Sequence, residues 1–173
     1  MAADSILSGL VYLQRYLPKI LIVFNLSDNP LAEKLISITK VGKLYNKSQQ
    51  GCVIWHIQKI EDVIKIINLI NGYMRTPKIE ALHCAIKWYN DHYNINIEPL
   101  GLDQSPINSN AWLAGFTDAE GCFTLSYLKN KYVSIRYILS QKNEDIFMNK
   151  LALLLDGKTY KLKCGTTNMT VNY

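Results

Sequence analysis

The chain has 173 residues, a formal net charge of +5 and a hydrophobic content of 49%. This is the composition of a globular protein with enough apolar residues for a packed core, and the basic excess favours an anionic partner. The cysteines are dispersed without any Cys-x-x-Cys pair, which argues against a zinc cage or a disulfide scaffold. Apolar runs such as residues 20–24 are too short to cross a bilayer, so no membrane partner is expected.

The first part of the chain is predicted to alternate strands and helices. Residues 5–13 and 19–26 have strand patterns, and Pro18 opens the second of them. Ser27-Asp-Asn-Pro30 is a helix-start signature, and this helix is expected to end at Gly42. A hairpin formed by residues 42–46 and 52–58 comes next. Two helices, at residues 61–73 and 79–93, complete this part.

The remaining elements follow a segment that is rich in proline, glycine and polar residues. Residues 1–94 are predicted to form a first half, residues 95–110 a linker, and residues 111–173 a second half. In the second half we expect a hairpin of residues 122–127 and 132–140, then a helix at 143–155 that Gly157 ends. Strands at 158–163 and 169–173 finish the chain.

A short helix that ends in an acid precedes the second hairpin. It would carry an apolar ridge for a partner helix, made of Leu113, Phe116 and Ala119. Beside the ridge, two small residues would let a second backbone approach, Ala114 and Gly115. Asp118 and Glu120 fall in the last turn, and Gly121 is expected to end the helix as a conventional glycine stop. A carboxylate at the negative end of a helix dipole requires a compensating cation or hydrogen bonds, so Glu120 is a candidate site residue.

This stretch, Leu113-Ala-Gly-Phe-Thr-Asp-Ala-Glu-Gly121, resembles the signature of the LAGLIDADG homing endonucleases and the related intron maturases. It departs from the family name at Phe116, Thr117 and Glu120, and the last of these keeps its carboxylate. The resemblance implies an α+β fold, a tandem αββαββ duplication with antiparallel saddle-like sheets and helices packed on one face. The activity that it implies is hydrolysis of DNA phosphodiesters.

An internal repeat agrees with this duplication. Residues 34–45 resemble residues 150–160 at an offset of about 116, and each copy reads as an amphipathic helix, a glycine and a strand. The same offset carries Glu120 back to Asp4, so the first half is expected to lack the helix that should precede Asp4. The second half is expected to lack helices that correspond to residues 61–94.

The resemblance also implies the residues of a cleavage site. Glu120 and its aligned partner Asp4 would bind a divalent metal, for which hard carboxylate oxygens favour Mg²⁺. Gln141 matches the family's water-holding residue, with Asn25 as its expected counterpart in the first half. Lys59 lies where the family has a basic residue near the scissile phosphate. Because Asp4 lacks a helix to place it, the chain alone is expected to be inactive.

Basic side chains and tyrosines share the predicted strands. A twisted antiparallel ribbon of this kind can enter a nucleic-acid groove, with its cations on phosphates and its amides on base edges. Residues i and i+2 share a face of a strand, so Lys161 and Lys163 are expected side by side. The candidate nucleic-acid contacts are Lys43, Lys47, Lys129, Lys131, Arg136, Lys158, Lys161 and Lys163.

Two functions fit these patterns. The first is RNA binding without cutting, inside a ribonucleoprotein such as an organellar ribosome, with tyrosines stacked on unpaired bases. The second is Mg²⁺-dependent, site-specific cleavage of double-stranded DNA, with the missing helices supplied by another chain or by a longer protein. Both readings predict a protein partner over the motif helix, because its apolar ridge would otherwise be exposed. Abundant isoleucine, asparagine, lysine and tyrosine, which have A+T-rich codons, favour a mitochondrial or other organellar location.

Overall fold

The structure is a computed structural model that describes residues 10–11, 17–128, 132–142, 144–162 and 166–172. Within these ranges the chain forms two four-stranded antiparallel sheets and five α-helices. The expected α+β class is therefore confirmed. Most of the strand predicted at residues 5–13 lies outside the described residues. The part that is described forms the short strand β1.

The first sheet and its helices come first along the chain. The strands are β1 (Leu10–Val11), β2 (Lys19–Asn25), β3 (Lys43–Lys47) and β4 (Cys52–Ile57), in the spatial order β1-β2-β4-β3. The helices are α1 (Asn29–Thr39), α2 (Ile60–Ile70) and α3 (Ile79–Tyr93).

The second sheet repeats this spatial order. Its strands are β5 (Gly121–Leu128), β6 (Tyr132–Lys142), β7 (Lys158–Lys161) and β8 (Thr166–Asn172), in the order β5-β6-β8-β7. Its helices are α4 (Trp112–Glu120) and α5 (Asp145–Leu154). Both sheets are thus antiparallel ribbons with the same connectivity.

The chain divides into two compact units. Of the described residues, those from 10 to 74 and from 78 to 103 make the first unit, and those from 75 to 77 and from 104 onward make the second. In the second unit, Arg75 is buried, donates to the carbonyl and hydroxyl oxygens of Ser105, and lies over the ring of Trp112. Among the residues described, no helix combines the length and apolar character needed to cross a bilayer.

The first core is the apolar space between the sheet and the helices of the first unit. Helix α2 buries a stripe at helical spacing, formed by Val63, Ile66, Ile67 and Ile70. Trp55 on β4 is almost fully buried, and its indole nitrogen donates to the carbonyl oxygen of Val41 at 3.0 Å. The hydroxyl of Tyr89 on α3 donates to the carbonyl oxygen of Pro18, just before β2, at 2.8 Å. These two bonds satisfy polar groups that burial would otherwise leave without partners.

Residues 95–103 have no helix or strand, yet they are bound to the first unit. The side chain of Asn90 both donates to and accepts from the backbone of Ile97. The side chain of Asn71 does the same with the carbonyl of Glu98 and the amide of Leu100. Side-chain amides therefore hold this irregular segment against α2 and α3.

The second core corrects the prediction for the motif helix. Phe116 was expected on an exposed ridge, but it is fully buried, and its ring centroid lies 4.6 Å from that of Trp112 and 5.8 Å from that of Phe147. Leu113 is half-buried against the same core, whereas Ala119 is exposed. The reason is the rotation of α4, which turns its large aromatic side chains toward its own sheet.

Gly121 has a different role from the one predicted. Its backbone is extended, with φ −92°, so it is not a left-handed helix cap. A Cβ at this position would lie 2.6 Å from the carbonyl oxygen of Thr117. Glycine is required because β5 begins directly against the last turn of α4, which fixes Glu120 at the junction of helix and sheet.

Candidate nucleic-acid interface

The second sheet has two chemically different faces. The face covered by α4 and α5 carries buried side chains such as Tyr137, Leu139 and Met169. The alternate residues point to the other face, named the second open face, and they are mostly polar. They are Cys122, Thr124, Ser126, Ser134, Arg136, Ile138, Ser140, Lys142, Lys158, Tyr160, Thr166, Asn168 and Thr170.

Arg136 lies in the middle of the second open face. It is opposite Thr124 on β5, and its Nη2 donates to the hydroxyl of Ser126. The Nε of Arg136, the hydroxyl of Thr124 and the side-chain oxygen of Asn168 are buried and have no hydrogen-bond partner among the described residues. Such atoms are rare in folded proteins, and groups that lack protein partners can bind a ligand.

The first sheet has an open face as well, named the first open face. It carries Lys19, Leu21, Val23, Asn25, Lys43, Tyr45, Lys47, Cys52, Ile54 and His56. His56 lies opposite Lys43, and its ring centroid is 5.6 Å from that of Tyr45. Burial, and then the charge of Lys19, hold the pKa of His56 below its usual value. The ring is therefore neutral at physiological pH, and its buried Nε2 has no partner in the part of the chain that the structure describes.

The predicted basic contacts lie on both open faces and, in part, outside the described residues. Lys43 and Lys47 are exposed at the two ends of β3 on the first open face, and Lys158 is exposed on the second, opposite Thr170. Arg136, described above, shares the second open face. Three further predicted contacts lie outside the described residues, Lys129, Lys131 and Lys163.

Lys161 is on the wrong face for the predicted contact. It pairs with the buried Thr167, so its side chain starts from the helix-covered side of the sheet. Its ammonium is 2.5 Å from a carboxylate oxygen of Asp145, at the first turn of α5. The alternation placed Lys161 and Lys163 together, but only the pairing of β7 with β8 shows which face Lys161 occupies.

The Asp145 carboxylate gives the second unit a pH-dependent contact. Hydrogen bonds from Lys161 and then Thr167 hold the pKa of Asp145 below its usual value. A depressed carboxyl pKa contributes stability that is present above the unfolded-state pKa and is lost as the pH falls through the folded-state pKa.

We therefore expect Asp145→Asn to be less stable than the wild type at neutral pH, with a difference that shrinks toward about pH 3. Urea unfolding at both pH values measures this. Because the pair is exposed, 1 M salt, with a Debye length of about 3 Å, should also reduce the difference. A difference that stays constant with pH would show that the charge of Asp145 is not responsible.

Lys59 borders a basic cleft in the first unit. It is the exposed residue immediately before α2 and lines a cleft of about 780 Å³ together with Lys40, Lys43 and Gln58. Glu61 and Asp62 also line the cleft, and the carboxylate of Asp62 accepts the backbone amide of Gly42 at 3.1 Å. The lysines here suit an anionic group such as a phosphate.

The acid and amide predicted for catalysis both belong to the second unit. Glu120 is the half-buried last residue of α4, and Gln141 is 7% exposed near the end of β6, opposite Thr167. Asp4 lies outside the described residues. Within the described part of the chain, no three His, Cys, Asp or Glu side chains are grouped to hold a metal ion. Glu120 nevertheless offers the hard oxygen donor that Mg²⁺ prefers.

Asn25 is not the structural counterpart of Gln141. Gln141 shares the helix-covered face of β6 with the buried Leu139, and the equivalent position on β2 is taken by the buried Phe24, opposite Val53. Asn25 is exposed on the other face, and its side-chain oxygen accepts the backbone amide of Ser27 at 3.1 Å. The first sheet therefore carries a phenyl ring where the second carries the amide of Gln141.

Tyr137 ties the motif helix to the second sheet. Its hydroxyl lies 2.6 Å from that of Thr117 on α4, and burial raises the pKa of Tyr137. No sequence pattern indicates this contact, or the polar group around Arg136, because both depend on which strands are neighbours. Strand register is the information that the sequence patterns do not contain.

Comparisons with known proteins agree with this architecture. A family model described as LAGLIDADG endonuclease matches residues 8–89 and 113–173. The intron-encoded DNA endonuclease aI3 of Saccharomyces cerevisiae is 41% identical over 134 residues, which are 70% of this chain and 32% of the relative. The probable intron-encoded endonuclease 4 of Neurospora crassa is 41% identical over 157 residues, 84% of this chain and 29% of the relative. The chain thus spans about a third of each relative's length.

Solved structures share the fold at low sequence identity. The LAGLIDADG meganuclease I-AabMI bound to uncleaved DNA has a TM-score of 0.73 and 20% identity, with 97% of this chain and 76% of that chain covered. The I-SmaMI endonuclease bound to cleaved DNA has a TM-score of 0.70 and 14% identity, with 99% of this chain and 78% of that chain covered.

Within the described residues, two antiparallel sheets of the same connectivity, each with helices packed on one face, define a duplicated α+β protein. With the family model matched over most of its residues, the chain belongs to the LAGLIDADG endonuclease family.

Proposed function

We propose that this chain binds double-stranded DNA through the two open faces and supplies catalytic groups for its cleavage, as part of an intron-encoded endonuclease. The observation that carries the proposal is the basic and polar character of the described parts of these faces: Lys43 and Lys47 are exposed on the first, and Arg136 and the exposed Lys158 lie on the second. The yeast relative is named an intron-encoded DNA endonuclease, and the I-AabMI structure contains DNA, which supports this ligand.

Binding would divide between phosphates and bases. Lys43, Lys47 and Lys158 are exposed near strand ends, where long flexible ammonium side chains can reach the DNA backbone. Arg136 and Asn168 have shorter reach from the middle of the sheet, and their planar groups suit base edges in the major groove. An antiparallel ribbon is of a size that this groove admits.

Cleavage would use residues at the ends of elements. We propose that Glu120 holds a divalent cation together with Asp4, and that Gln141 orients the attacking water by hydrogen bonding. Lys59, in its basic cleft, would neutralise charge on a phosphate near the cut. When bound, Mg²⁺ would lower the pKa of a water and stabilise the leaving oxygen.

RNA binding without cutting is the second candidate, and one observation favours it. Tyr45 is 48% exposed on the first open face and Tyr160 is 52% exposed on the second, so both rings are available to stack on unpaired bases. Stacking of this kind is typical of single-stranded RNA recognition and would suit a ribonucleoprotein such as an organellar ribosome.

We further propose a mitochondrial location and a protein segment over the motif helix. The first rests on the intron-encoded relatives of yeast and Neurospora crassa and on the A+T-rich codon usage that the composition indicates. The second rests on the exposed small residues of α4, Ala114 and Ala119, beside the exposed Asp118. Small side chains permit close approach of another helix.

A binding and cleavage assay tests the proposed function. The longer endonuclease of which this chain is proposed to be a part is incubated with a duplex DNA library and Mg²⁺, with single-stranded RNA as competitor. We expect duplex binding that weakens steeply with salt, and site-specific cuts whose rate falls roughly 100-fold or more in Glu120→Gln. Binding should be unchanged in this variant.

Asp118→Asn is the matched control, because Asp118 is an exposed carboxylate in the same helix turn. It should retain cleavage. Preferential capture of RNA over duplex DNA at equal salt, without cuts, would replace the endonuclease proposal by the ribonucleoprotein one.

A further inference from the structure

The two open faces differ in what they offer to a base. The second open face presents hydroxyl, guanidinium and amide groups from Thr124, Arg136 and Asn168, with Ile138 between the last two. The middle of the first presents aliphatic side chains from Leu21, Val23 and Ile54, with the imidazole of His56 opposite Leu21. Val23 is 64% exposed, so this apolar surface is open to a ligand.

We propose that the second open face carries most of the sequence discrimination and that Arg136 reads a guanine in the major groove, while the first open face binds with little sequence preference. This inference rests on the proposed binding of duplex DNA. It assigns unequal roles to two sheets that have the same connectivity.

Arg136 is held in a way that favours a base contact over a phosphate contact. It starts from the centre of β6, opposite Thr124 on one side and residue 172 on the other, rather than from a strand end. Ser126 accepts from Nη2 and so fixes the orientation of the guanidinium plane before DNA arrives. A guanidinium fixed in this way retains other N–H donors and loses little freedom on binding.

Guanine is the base that matches this group. Its O6 and N7 atoms are adjacent acceptors in the major groove, and two parallel N–H donors of an arginine fit them. The hydroxyl of Thr124, which lies opposite Arg136 on β5 and lacks a partner among the described residues, adds a further polar group beside the guanidinium. A mismatched base would leave these groups unpaired, which is how hydrogen-bonding sites reject wrong ligands.

The first open face has fewer means of discrimination, although Asn25 at the end of β2 carries a side-chain amide, whose oxygen accepts the backbone amide of Ser27. Leu21, Val23 and Ile54 carry no side-chain donors or acceptors, and they can at most contact a thymine methyl group. Lys43 and Lys47 stand at the strand ends and suit phosphates, which carry no sequence information. His56 adds one neutral ring, flanked by Lys19 and Lys43, with the phenol of Tyr45 beside it.

Selection from a randomised duplex library tests the inference. The wild-type chain, Arg136→Gln and Lys158→Gln are each used for selection, and the bound DNA is sequenced. For the wild type we expect strong base preferences, including a guanine, in one half of the site and weak preferences in the other. Arg136→Gln should lose the preference for that guanine by roughly tenfold or more and keep the other preferences.

Lys158→Gln is the matched control, since it removes one positive charge from the same face. It should weaken binding to all sequences alike and reduce the slope of log affinity against log salt by about one. A probe that needs no protein substitution is the selected duplex with 7-deazaguanine, which lacks N7, at the preferred guanine. It should weaken wild-type binding and leave Arg136→Gln unaffected.

Two results would overturn the inference while leaving the proposed function intact. One is a uniform loss of affinity in Arg136→Gln with every base preference retained, and the other is equal selectivity in both halves of the site. Failure of the wild-type chain to bind any duplex would instead overturn the proposed function, and this inference with it. Wild-type binding that ignores 7-deazaguanine would show that the guanine contact does not exist, even if Arg136→Gln fails to fold.

Discussion

Replacing Phe116 with alanine is expected to lower the free energy of unfolding of the second unit by about 3–5 kcal/mol. The ring is fully buried and packs against Trp112 and Phe147, so its removal leaves a cavity at the base of α4. Domains are stable by only about 5–15 kcal/mol, so this loss is a large share of the total. Urea unfolding followed by circular dichroism measures it.

Phe123→Ala is the control for this prediction. Phe123 is 71% exposed in the same unit and stacks on Tyr137 with ring centroids 5.0 Å apart, so its removal should lower the stability by about 1 kcal/mol or less. Equal, small effects of the two variants would contradict the burial of Phe116. They would restore the sequence prediction of an exposed ridge.

A methyl group at Gly42 is expected to destabilise the first unit by about 2–5 kcal/mol. Gly42 has φ +72°, a left-handed conformation that strains any residue with a Cβ. That Cβ would also lie 2.6 Å from the indole nitrogen of Trp55 and 2.8 Å from the carbonyl oxygen of His56. Gly42→Ala must therefore disturb the hydrogen bond between Trp55 and Val41.

Gly51→Ala separates the two contributions. Gly51 has φ +66°, but no heavy atom of the described residues lies within 4 Å of the place that its Cβ would take, so only the backbone strain applies, at about 1–2 kcal/mol. Thermal or urea unfolding of the two variants gives the difference directly. If Gly42→Ala were no more harmful than Gly51→Ala, the close packing around Trp55 would be disproved.

Most elements could be predicted from the sequence because local patterns encode them. The proline after Asn29, the apolar stripe of α2 and the alternation along β4 each indicate one structure only. The prediction of which face of α4 is exposed was wrong. Leu113 and Ala119 are also apolar, so several faces of this nine-residue helix could serve as the buried one. The packing of Phe116 against Phe147 decides which face of α4 is buried, and no local sequence pattern shows this contact.

The candidate interface was predictable only in part, for the same kind of reason. Alternation shows which residues share a face, but the face itself depends on the neighbouring strand. Lys161 was therefore predicted, like Lys158, to contact nucleic acid, but it contacts Asp145 on the helix-covered side. The importance of Thr124 and Asn168 came from register, since each stands beside other polar groups only after the strands have paired.

The separate cores have an optical consequence. Trp55 and Trp88 belong to the first core and Trp112 to the second, and these are all three tryptophans of the chain. Fluorescence of a Trp112→Phe variant would come from the first unit alone, and that of a Trp55→Phe, Trp88→Phe variant from the second. If the two signals change at different urea concentrations, a single midpoint for the whole chain averages two transitions. Each unit thus contains its own intrinsic fluorophore, and the stability of each can be recorded without a label.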